Sequence, residues 1–491
     1  MLDSVPTSPT IRGMYIGGAW TPAARTFDDL NPSDNSLYAR IPDGSAADMA
    51  RAVEAAQAAF PDWSRRSFQE RARALLKVAE VWEARKDDFI AAVMHEGGGW
   101  YGKGVFEAGF VAEIFRTSAS LCYQATGEVL PSADGKVLMA TRWPLGVVGV
   151  ISPWNMPGIL TSRGYAAALA AGNTVVLKPS EDTPYSGGLY HAEILEEAGI
   201  PAGVFNVVTC SRASVAEVGD ALIEHPLVKG ISFTGSTAVG RHIAAKCGAH
   251  LKKCCVELGG KDSMIVLEDA DLDKAAEAAN FGCFMHQGQV CMSTEKLLVH
   301  DSVYQSFMQR FLARAARLKT GHVNDRNNVV GPLINTRQAH RVKALIDDAV
   351  AKGAVLELGG NAWENFVEPT VLTHVDDSMD IWHDETFGPV VAVRSFRTDD
   401  EAVALNNDTE YGLTAAVWTA DEGRALGLAA RLETGMVHVN DQNIYDEPQV
   451  PFGGVKASGV GRYGGRWSLD AFTELRLITL ERGGRHYPPV F

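Results

Sequence analysis

Short apolar segments alternate with segments of helical periodicity from residue 146 to residue 258, and this alternation limits the possible folds more than any other feature of the sequence. The apolar segments are rich in β-branched residues along their whole length, which is typical of strands buried on both faces. Strands of this kind joined by helices form a doubly wound parallel sheet. The predicted strands are 146–151, 174–178, 204–208, 230–234 and 253–258, and the predicted helices are 163–172, 185–199, 214–223 and one from about 237.

The alternation begins again after residue 260 and predicts a second α/β domain. Its predicted helices are 271–286, 303–318 and 421–433, and its predicted strands are 296–300, 390–396 and 415–420. Two helical patterns at 45–60 and 68–94 precede the first sheet, and we expect them to cover it. The predicted fold class is therefore α/β, with two doubly wound domains. One comprises 1–125 and 144–257, and the other comprises 258–455.

Two segments fit neither domain. Residues 128–143 read as a hairpin with a turn at Asp134-Gly135, and residues 472–481 alternate as a strand does. Exposed edge strands aggregate unless another strand pairs with them. We therefore expect a small β element, formed by 126–143 and 471–491, that mediates oligomerisation across the subunit interface of a homodimer or homotetramer.

The composition excludes several classes of protein. Hydrophobic residues make up 46% and charged residues 21% of the 491, which is typical of a globular chain. The 45 Lys and Arg residues against 60 Asp and Glu residues give a formal charge of −15, which disfavours nucleic acid and anionic membranes as partners. The seven cysteines contain no C-x-x-C pair and predict neither a disulfide framework nor a metal site.

No targeting or membrane segment is expected either. The first twenty residues lack a basic start followed by an apolar run. Residues 143–162 carry no formal charge, but Pro144, Pro153 and Pro157 would interrupt a lipid-exposed helix. We interpret this segment as a buried strand followed by a loop, and we expect a cytoplasmic protein with reduced cysteines.

Three glycine-containing motifs suggest phosphate binding, and one of them has a suitable context. Residues 459–464 match G-x-G-x-x-G but follow a loop, and residues 97–104 resemble a P-loop that lacks its Ser or Thr. In the motif 233–240 a predicted strand ends, Gly235 permits a tight turn and Ser236 can cap the next helix. The N–H groups at the start of that helix could bind a pyrophosphate, although an ordinary capped turn is the alternative.

Polar residues at three predicted strand ends are candidates for ligand binding, because open α/β sheets bind ligands there. Asn155 could donate to an oxyanion, or it could form an Asx turn. Lys178 and Glu181 could hold the hydroxyls of a ribose, or they could be a solvated pair. Glu257 ends an apolar strand and could be a general base, or it could form a salt bridge with Lys261 or another cation.

Cys291 lies in the sequence His-Gln-Gly-Gln-Val-Cys-Met-Ser, residues 286–293, after a predicted helix. Glycine and amide residues around one cysteine indicate a loop that is shaped around the thiol. Cys291 is therefore a candidate nucleophile, although most cysteines are small buried hydrophobic residues.

The order of these motifs along the chain resembles that of the aldehyde dehydrogenase superfamily. The matching motifs are Pro-Trp-Asn at 153–155, Lys-Pro-Ser-Glu at 178–181, Phe-Thr-Gly-Ser at 233–236, Glu-Leu-Gly-Gly-Lys at 257–261, Gly-Gln-Val-Cys at 288–291, Glu-Thr-Phe-Gly-Pro at 385–389 and Pro-Phe-Gly-Gly-Val-Lys at 451–456. The resemblance covers nearly the whole chain. It implies NAD(P)-dependent oxidation of an aldehyde to a carboxylate, with a Rossmann-like NAD-binding first domain and a catalytic second domain.

The resemblance also implies a role for each candidate residue. Cys291 would attack the aldehyde carbon, Asn155 would hold the oxyanion and Glu257 would activate the water that hydrolyses the thioester. The residues implied to bind the cofactor are Ser152, Trp154, Lys178, Ser180, Glu181, Gly235, Ser236, Val239, Gly240, Leu258, Glu385 and Phe387. Because a carboxylate beside the ribose repels a 2′-phosphate, Glu181 predicts NAD rather than NADP.

Within the superfamily, the chain resembles the subgroup that acts on benzaldehyde, salicylaldehyde or vanillin. The resemblance rests on the run Gly-Gln-Val-Cys-Met-Ser, the C-terminal sequence 461–479 and Arg163. The residues expected to line an aromatic-sized channel are Trp100, Tyr101, Met156, Ile159, Arg163, Met285, Val290, Met292, Tyr445 and Phe452. Arg163 could reach a ring hydroxyl or a carboxylate of the substrate, or it could be a structural ion-pair partner.

Two alternatives to an aromatic aldehyde dehydrogenase remain open at this point. The substrate could be an aliphatic aldehyde or a semialdehyde. A different class of enzyme would use Cys291 for acyl transfer to coenzyme A or for ester hydrolysis. Glu257 argues against acyl transfer, because a base that activates water would hydrolyse the thioester first. A protein without enzymatic activity would need neither Cys291 nor Glu257.

Overall fold

The structure of the chain is a computed structural model that describes residues 8–124, 126–484 and 487–490. Residues 1–7 and 125 of the predicted first domain lie outside the described residues, as do 485–486 and 491 of the predicted β element.

The strands are numbered in chain order. They are β1 (Met14–Ile16), β2 (Ala19–Thr21), β3 (Thr26–Leu30), β4 (Leu37–Pro42), β5 (Gly127–Leu130), β6 (Val137–Pro144), β7 (Val147–Ile151), β8 (Thr174–Lys178), β9 (Phe205–Val207), β10 (Val228–Thr234), β11 (Lys253–Glu257), β12 (Asp262–Val266), β13 (Thr294–His300), β14 (Val355–Leu358), β15 (Ala362–Trp363), β16 (Phe366–Val367), β17 (Thr370–Thr373), β18 (Val390–Phe396), β19 (Thr414–Trp418), β20 (Met436–Val439), β21 (Gly459–Val460) and β22 (Thr473–Leu480).

The helices are numbered in the same way. They are α1 (Ala46–Arg65), α2 (Phe68–Ala84), α3 (Lys86–His95), α4 (Tyr101–Leu121), α5 (Pro157–Ala170), α6 (Tyr190–Glu197), α7 (Val215–Glu224), α8 (Thr237–Ala249), α9 (Leu272–Phe284), α10 (Tyr304–Ala315), α11 (Thr336–Ala351), α12 (Asp380–His383), α13 (Asp399–Asn407), α14 (Glu422–Ala429) and α15 (Ser468–Phe472).

The first sheet has eight strands in the order β2-β1-β9-β8-β7-β10-β11-β21. Its central strands, from β9 to β11, are parallel to one another. Alternate residues of β7 enter two apolar clusters on opposite faces of the sheet. Val148 and Val150 belong to one cluster, and Val147 and Ile151 belong to the other. Burial on both faces explains why the whole strand is apolar, and it confirms the predicted doubly wound sheet.

The second sheet has seven strands in the order β14-β17-β18-β13-β12-β19-β20. Its strands are parallel except for β14, which pairs antiparallel with β17 at the edge. The short segment 258–261 connects β11 of the first sheet to β12 of the second. The predicted α/β fold class with two sheet-based domains is confirmed.

A third sheet consists of β22, β6 and β5, all antiparallel. Each residue of β22 pairs with one residue of β6, from Thr473 with Pro144 to Leu480 with Val137. Within the described residues no further strand pairs with the outer edges of β5 and β22. Pairing of this element with a second subunit stays a prediction.

Several helix boundaries differ from the prediction, and three of the differences change how the helices are arranged. The pattern 68–94 forms two helices, because the backbone of Arg85 leaves the helical region at ψ 13°. Helix α5 begins at Pro157 and not at residue 163, since proline suits a first helical turn and Glu107 accepts the N–H groups of Gly158 and Ile159. The predicted helix 185–199 begins with a π-helical turn, Tyr185–Leu189.

None of the helices in the described residues combines the length and the apolar character that a membrane span requires.

Candidate active site

The carboxyl ends of four neighbouring parallel strands bring the predicted polar residues to one edge of the first sheet. Strand β7 lies between β8 and β10, and Ile151 pairs with Lys178 on one side and with Phe233 on the other. Strand β11 pairs with β10, so that Glu257 lies beside Thr234. The segments that follow these strands are therefore adjacent, as expected for a ligand site in an open α/β sheet.

A cleft of about 420 Å³ opens at this edge. It is lined by Pro153, Trp154, Asn155, Leu160, Thr234, Gly235, Ser236, Thr237, Ala238, Leu258, Gly259, Cys291, Gln338, Arg341, Asp384, Glu385, Phe387 and Tyr411. Eight of these were predicted from the sequence. Gln338 and Arg341 were missed, because they lie on α11, a helix that we did not predict.

The N-terminus of α8 faces the cleft through Ser236, Thr237 and Ala238. The side chain of Ser236 makes no capping hydrogen bond, although the residue occupies the cap position. The first N–H groups of the helix have no partner within the helix and carry its positive dipole end. This geometry suits an anionic group such as a pyrophosphate.

Six predicted cofactor residues do not line the cleft. Ser152 is buried, and Gly240 packs directly against Leu258. Val239 is exposed on α8. Of the other three, Lys178 ends β8, and Ser180 and Glu181 follow it at the same edge of the sheet.

Those three residues each have a defined contact. Lys178 Nζ donates to the carbonyl of Pro179, and Ser180 Oγ accepts the N–H of Asp182. Glu181 Oε1 accepts from Arg212 Nη1 at 3.0 Å. Because Arg212 is 60% exposed, this ion pair is open to exchange with solvent and ligands.

The loop 385–387 forms part of the wall of the cleft. Glu385 Oε1 accepts the N–H of Gly260 at 3.0 Å. Burial, with the nearby carboxylate of Glu295, raises the pKa of Glu385 to about 7. The ring of Phe387 meets that of Trp154 edge to face at 5.4 Å.

Cys291 follows a turn in which His286, Gln287 and Gly288 all have left-handed backbone angles. Gln287 Nε2 fixes the turn by donating to the carbonyls of Gly98 and Pro332. A side chain at position 288 would collide with the carbonyl of Gly388, so this glycine permits the turn to pack against the segment after Phe387. The turn thus holds Cys291 at the cleft.

The thiol of Cys291 is partly exposed to the cleft, but its surroundings disfavour the thiolate. Burial raises the pKa of the Cys291 thiol, and the carboxylates of Asp262, Glu385 and Glu257 raise it further. The guanidinium of Arg163 acts in the opposite direction.

A second cavity meets the cleft at Cys291. It is lined by Phe106, Phe110, Asn155, Met156, Ile159, Leu160, Arg163, Val290, Cys291, Met292, Ile444, Asp446 and Phe452. Asn155, Leu160 and Cys291 line both the cleft and this cavity. Asn155 is 3% exposed, and its Nδ2 donates to the carbonyl of Gln289 at 3.0 Å. We call this second space the apolar cavity.

Six of the ten residues predicted to line a channel do line the apolar cavity, together with five others that we did not predict. Phe106 and Phe110 lie four residues apart on α4, a spacing that places both on one face of the helix. That spacing was a usable signal in the sequence. Leu160, Ile444 and Asp446 had no such signal.

Four residues were wrongly predicted to line the channel. Trp100 and Met285 line a separate cavity of about 250 Å³ beside α9. Tyr101 lies under the guanidinium of Arg326, 4.5 Å from the ring centre. Tyr445 points outward and bonds to Glu447, although its neighbours Ile444 and Asp446 face the apolar cavity.

Arg163 forms a buried ion pair with Asp446 at the wall of the apolar cavity. Its guanidinium also lies over the ring of Phe452, 4.3 Å from the ring centre. Arg163 Nη1 and Asp446 Oδ1 have no hydrogen-bond partner among the described residues. One donor and one acceptor are therefore left unused in a buried place.

Glu257 is 2% exposed, and neither of its carboxyl oxygens has a hydrogen-bond partner in the described part of the chain. Burial raises the pKa of Glu257 well above its usual range, against the opposing charges of Arg462 and Arg163. The alternative salt bridge with Lys261 is wrong, because Lys261 Nζ bonds to Glu295 Oε2 at 2.7 Å.

The chain is similar to known proteins over nearly its whole length. Residues 20–478 match the sequence model described as "Aldehyde dehydrogenase family". A vanillin dehydrogenase of Pseudomonas fluorescens is 44% identical, with 97% of this chain and 99% of that protein covered. A benzaldehyde dehydrogenase of Bacillus subtilis (strain 168) is 43% identical over 96% and 98%. The crystal structure of a salicylaldehyde dehydrogenase from Pseudomonas putida G7 in complex with salicylaldehyde has a TM-score of 0.95 and 38% identity, with 97% of this chain and 99% of that chain covered.

Proposed function

The chain belongs to the aldehyde dehydrogenase family, and from this premise we propose that it oxidises an aromatic aldehyde to its carboxylic acid with NAD through Cys291. The observation that carries the proposal is the position of Cys291, whose thiol lies where the polar cleft meets the apolar cavity. A nucleophile at such a junction can face an aldehyde in one space and a hydride acceptor in the other.

The residues around Cys291 support a two-step reaction. In the first step the thiol of Cys291 gives its proton to water in the cleft, and the thiolate Sγ attacks the aldehyde carbon, so that the π bond of the carbonyl breaks and its oxygen becomes an oxyanion. Asn155 Nδ2, now bonded to the carbonyl of Gln289, is a donor that can turn to this oxyanion together with the N–H of Cys291. Loss of hydride from the carbon then leaves a thioester on Cys291.

In the second step water hydrolyses the thioester. Glu257 is near enough for its charge to affect the thiol of Cys291, and its unbonded carboxyl oxygens are free to take a proton from water. A raised pKa makes this carboxylate a stronger base once it is ionised. The products are the acid and a regenerated thiol.

The residues of the cleft fit a nicotinamide dinucleotide. The uncapped N-terminus of α8 suits the pyrophosphate, and Glu385, Phe387 and Trp154 form a wall that suits a ribose and a flat ring. When bound, the cofactor supplies the acceptor for the hydride. The family and the cleft support NAD or NADP, and Glu181 favours NAD by repelling a 2′-phosphate.

The apolar cavity has a volume of only about 40 Å³ in this structure, so side chains of its wall must move to admit an aromatic ring, but the chemistry of its lining favours an aromatic aldehyde. Phe106, Phe110 and Phe452 are aromatic, and aromatic rings pack well against one another. The vanillin and benzaldehyde dehydrogenases at 44% and 43% identity support the same substrate class. The unused donor of Arg163 and acceptor of Asp446 would suit a hydroxyl on the ring.

We also propose the domain division and the assembly. The first sheet with its helices would be the NAD-binding domain, 1–125 and 144–257, and the second sheet the catalytic domain, 258–455. The third sheet, from 126–143 and 471–491, would pair across subunits in a homodimer or homotetramer.

The function is tested by measuring kcat/KM for benzaldehyde, 4-hydroxybenzaldehyde, hexanal and succinic semialdehyde with NAD and with NADP. We expect the aromatic aldehydes and NAD to give the highest values, and the product to be the free acid with or without coenzyme A.

The role of Cys291 is tested by the Cys291→Ala variant, which should lower kcat by roughly a thousandfold or more. Cys210→Ala, a buried cysteine outside both spaces, is the matched control. Equal values for all aldehydes, or an acyl-coenzyme A product, would contradict the proposal.

The role of Arg163 is tested by the same substrates with the double variant Arg163→Ala/Asp446→Asn, which avoids leaving a buried charge unpaired. If the pair contacts a ring hydroxyl, the preference for 4-hydroxybenzaldehyde over benzaldehyde should fall by about tenfold to a hundredfold, because a hydrogen bond to a charged group contributes about 1.5–3 kcal/mol. An equal loss for both substrates would show that the pair does not contact a ring hydroxyl.

A further inference from the structure

Glu295 holds the loop of Glu385 and Phe387 in place, and the reaction described above does not use it. Its Oε1 accepts the N–H groups of Thr386 and Phe387, both at 2.9 Å. Its Oε2 accepts from Lys261 Nζ at 2.7 Å. Glu295 is 3% exposed, so these hydrogen bonds to a charged group form away from water, where they are strong.

Side chains from α11 hold the same loop from its other side. Arg341 Nη1 donates to the carbonyl of Thr386 at 2.9 Å, and Gln338 Nε2 donates to the carbonyl of Phe387 at 2.8 Å. Lys261 Nζ also donates to Thr386 Oγ1 at 3.1 Å. The N–H and carbonyl groups of Thr386 and Phe387 are thus all bound to side chains of other elements.

The loop needs this support because its conformation is strained. Phe387 has a φ of 50°, in the left-handed region that bulky residues rarely adopt. Such a conformation persists only when the surrounding structure fixes it. It turns the Phe387 ring toward Trp154 in the cleft.

Glu295 also connects the loop to the nucleophile. It lies four residues after Cys291, at the start of β13. On the other side of Cys291, Gly288 packs directly against Gly388. Glu295, after Cys291 in the chain, therefore contacts the loop, and Gly288, before Cys291, contacts Gly388, the residue that follows the loop.

On the basis of the proposed function, we propose that Glu295 is a positioning residue, which fixes the Glu385–Phe387 loop relative to Cys291 and so sets the distance between the hydride acceptor and the reacting carbon. Lys261 is its partner, since it supplies the positive charge that keeps a buried carboxylate favourable. A small displacement of the loop would lower hydride transfer and leave the thiol of Cys291 reactive.

The test uses Glu295→Gln, which keeps the shape of the side chain and removes its charge. Three quantities are measured: the Kd of NAD from quenching of tryptophan fluorescence, the rate of hydride transfer to NAD with benzaldehyde, and the hydrolysis of p-nitrophenyl acetate by Cys291 without cofactor. We expect hydride transfer to fall by about tenfold to a hundredfold, the Kd of NAD to rise, and ester hydrolysis to stay within about twofold, because misplacement by about 1 Å has effects of that size.

Glu96→Gln is the matched control. Glu96 is fully buried and accepts the N–H groups of Tyr185 and Ser186, both at 2.7 Å, away from the cleft and the apolar cavity. The Glu96→Gln variant should leave the ratio of the hydride-transfer rate to the ester-hydrolysis rate unchanged. If Glu295→Gln does not fold, the double variant Lys261→Met/Glu295→Gln removes both buried charges and is measured instead.

A parallel loss of hydride transfer and ester hydrolysis would overturn the proposal, because it would show a general structural role. Unchanged hydride transfer and unchanged Kd would also overturn it. If the unmodified protein reduced no NAD with any aldehyde, the proposed function would fail, and the Kd of NAD and the ester hydrolysis would still report on the loop.

Discussion

Cys291 and Glu257, which we propose as the nucleophile and the base, share one electrostatic condition. Glu257 is fully buried and Cys291 is largely buried, and burial raises the pKa of each because a charge is poorly solvated there. The carboxylate of Glu257 also raises the pKa of the Cys291 thiol. Arg163 is a cation that lowers both pKa values, so the wall of the apolar cavity also affects the chemistry.

This condition predicts how thioester hydrolysis depends on pH. Glu257 acts as a base only when it is ionised, and burial raises its pKa well above the usual range of a carboxyl group. The rate of hydrolysis should therefore rise as pH increases through the pKa of Glu257. Decay of the thioester, followed by stopped flow after a single turnover between pH 6 and 9, checks this. The thioester of the Glu257→Gln variant should decay slowly at every pH. A decay rate of the unmodified protein that does not depend on pH would contradict the assignment of Glu257 as the base.

How far single residues could be predicted depends on whether their signal is local in the sequence. Asn155, Glu257 and Cys291 each occupy a short motif at a strand end or turn, and such motifs can be found without a structure. The ion pair of Arg163 and Asp446 joins positions far apart in the chain, and nothing in either local sequence indicates the other. Contacts of this kind depend on the folded arrangement.

Strands and helices, like single residues, were best predicted where their signal is local in the sequence. The strands of the first sheet were predictable, because burial on both faces makes them apolar throughout. The start of α5 was not, since six further residues join the helix only where Glu107 of α4 accepts its first N–H groups. Helix α11, which supplies Gln338 and Arg341 to the cleft, was missed although its apolar residues have helical spacing.

The third sheet leads to a prediction about assembly. Leu475 and Leu477 of β22 are each 63% exposed, and leucines exposed on an edge strand favour association. The double variant Leu475→Glu/Leu477→Glu should change an oligomer into a monomer in sedimentation at micromolar concentration. Leu426→Glu, on the exposed surface of α14, is the matched control and should keep the oligomer. A monomeric unmodified protein would refute the predicted interface.

In the whole molecule, the site forms where the two large sheets meet. Asn155 follows a strand of the first sheet, Cys291 precedes a strand of the second, and Glu257 lies at the connection between them. Neither domain alone holds the nucleophile, the oxyanion donor and the base. The order of motifs identified these residues, but the junction of the cleft with the apolar cavity at Cys291 depends on how the two domains pack.

In the proposed reaction, Cys291 carries the acyl group between oxidation and hydrolysis. Mass spectrometry of the Glu257→Gln variant after incubation with benzaldehyde and NAD tests this, because without the base the thioester should accumulate. We expect one benzoyl group on the peptide that contains Cys291, formed together with one equivalent of NADH, and none in the double variant Cys291→Ala/Glu257→Gln. NADH formation with no acyl group on Cys291, or an acyl group on another residue, would contradict it.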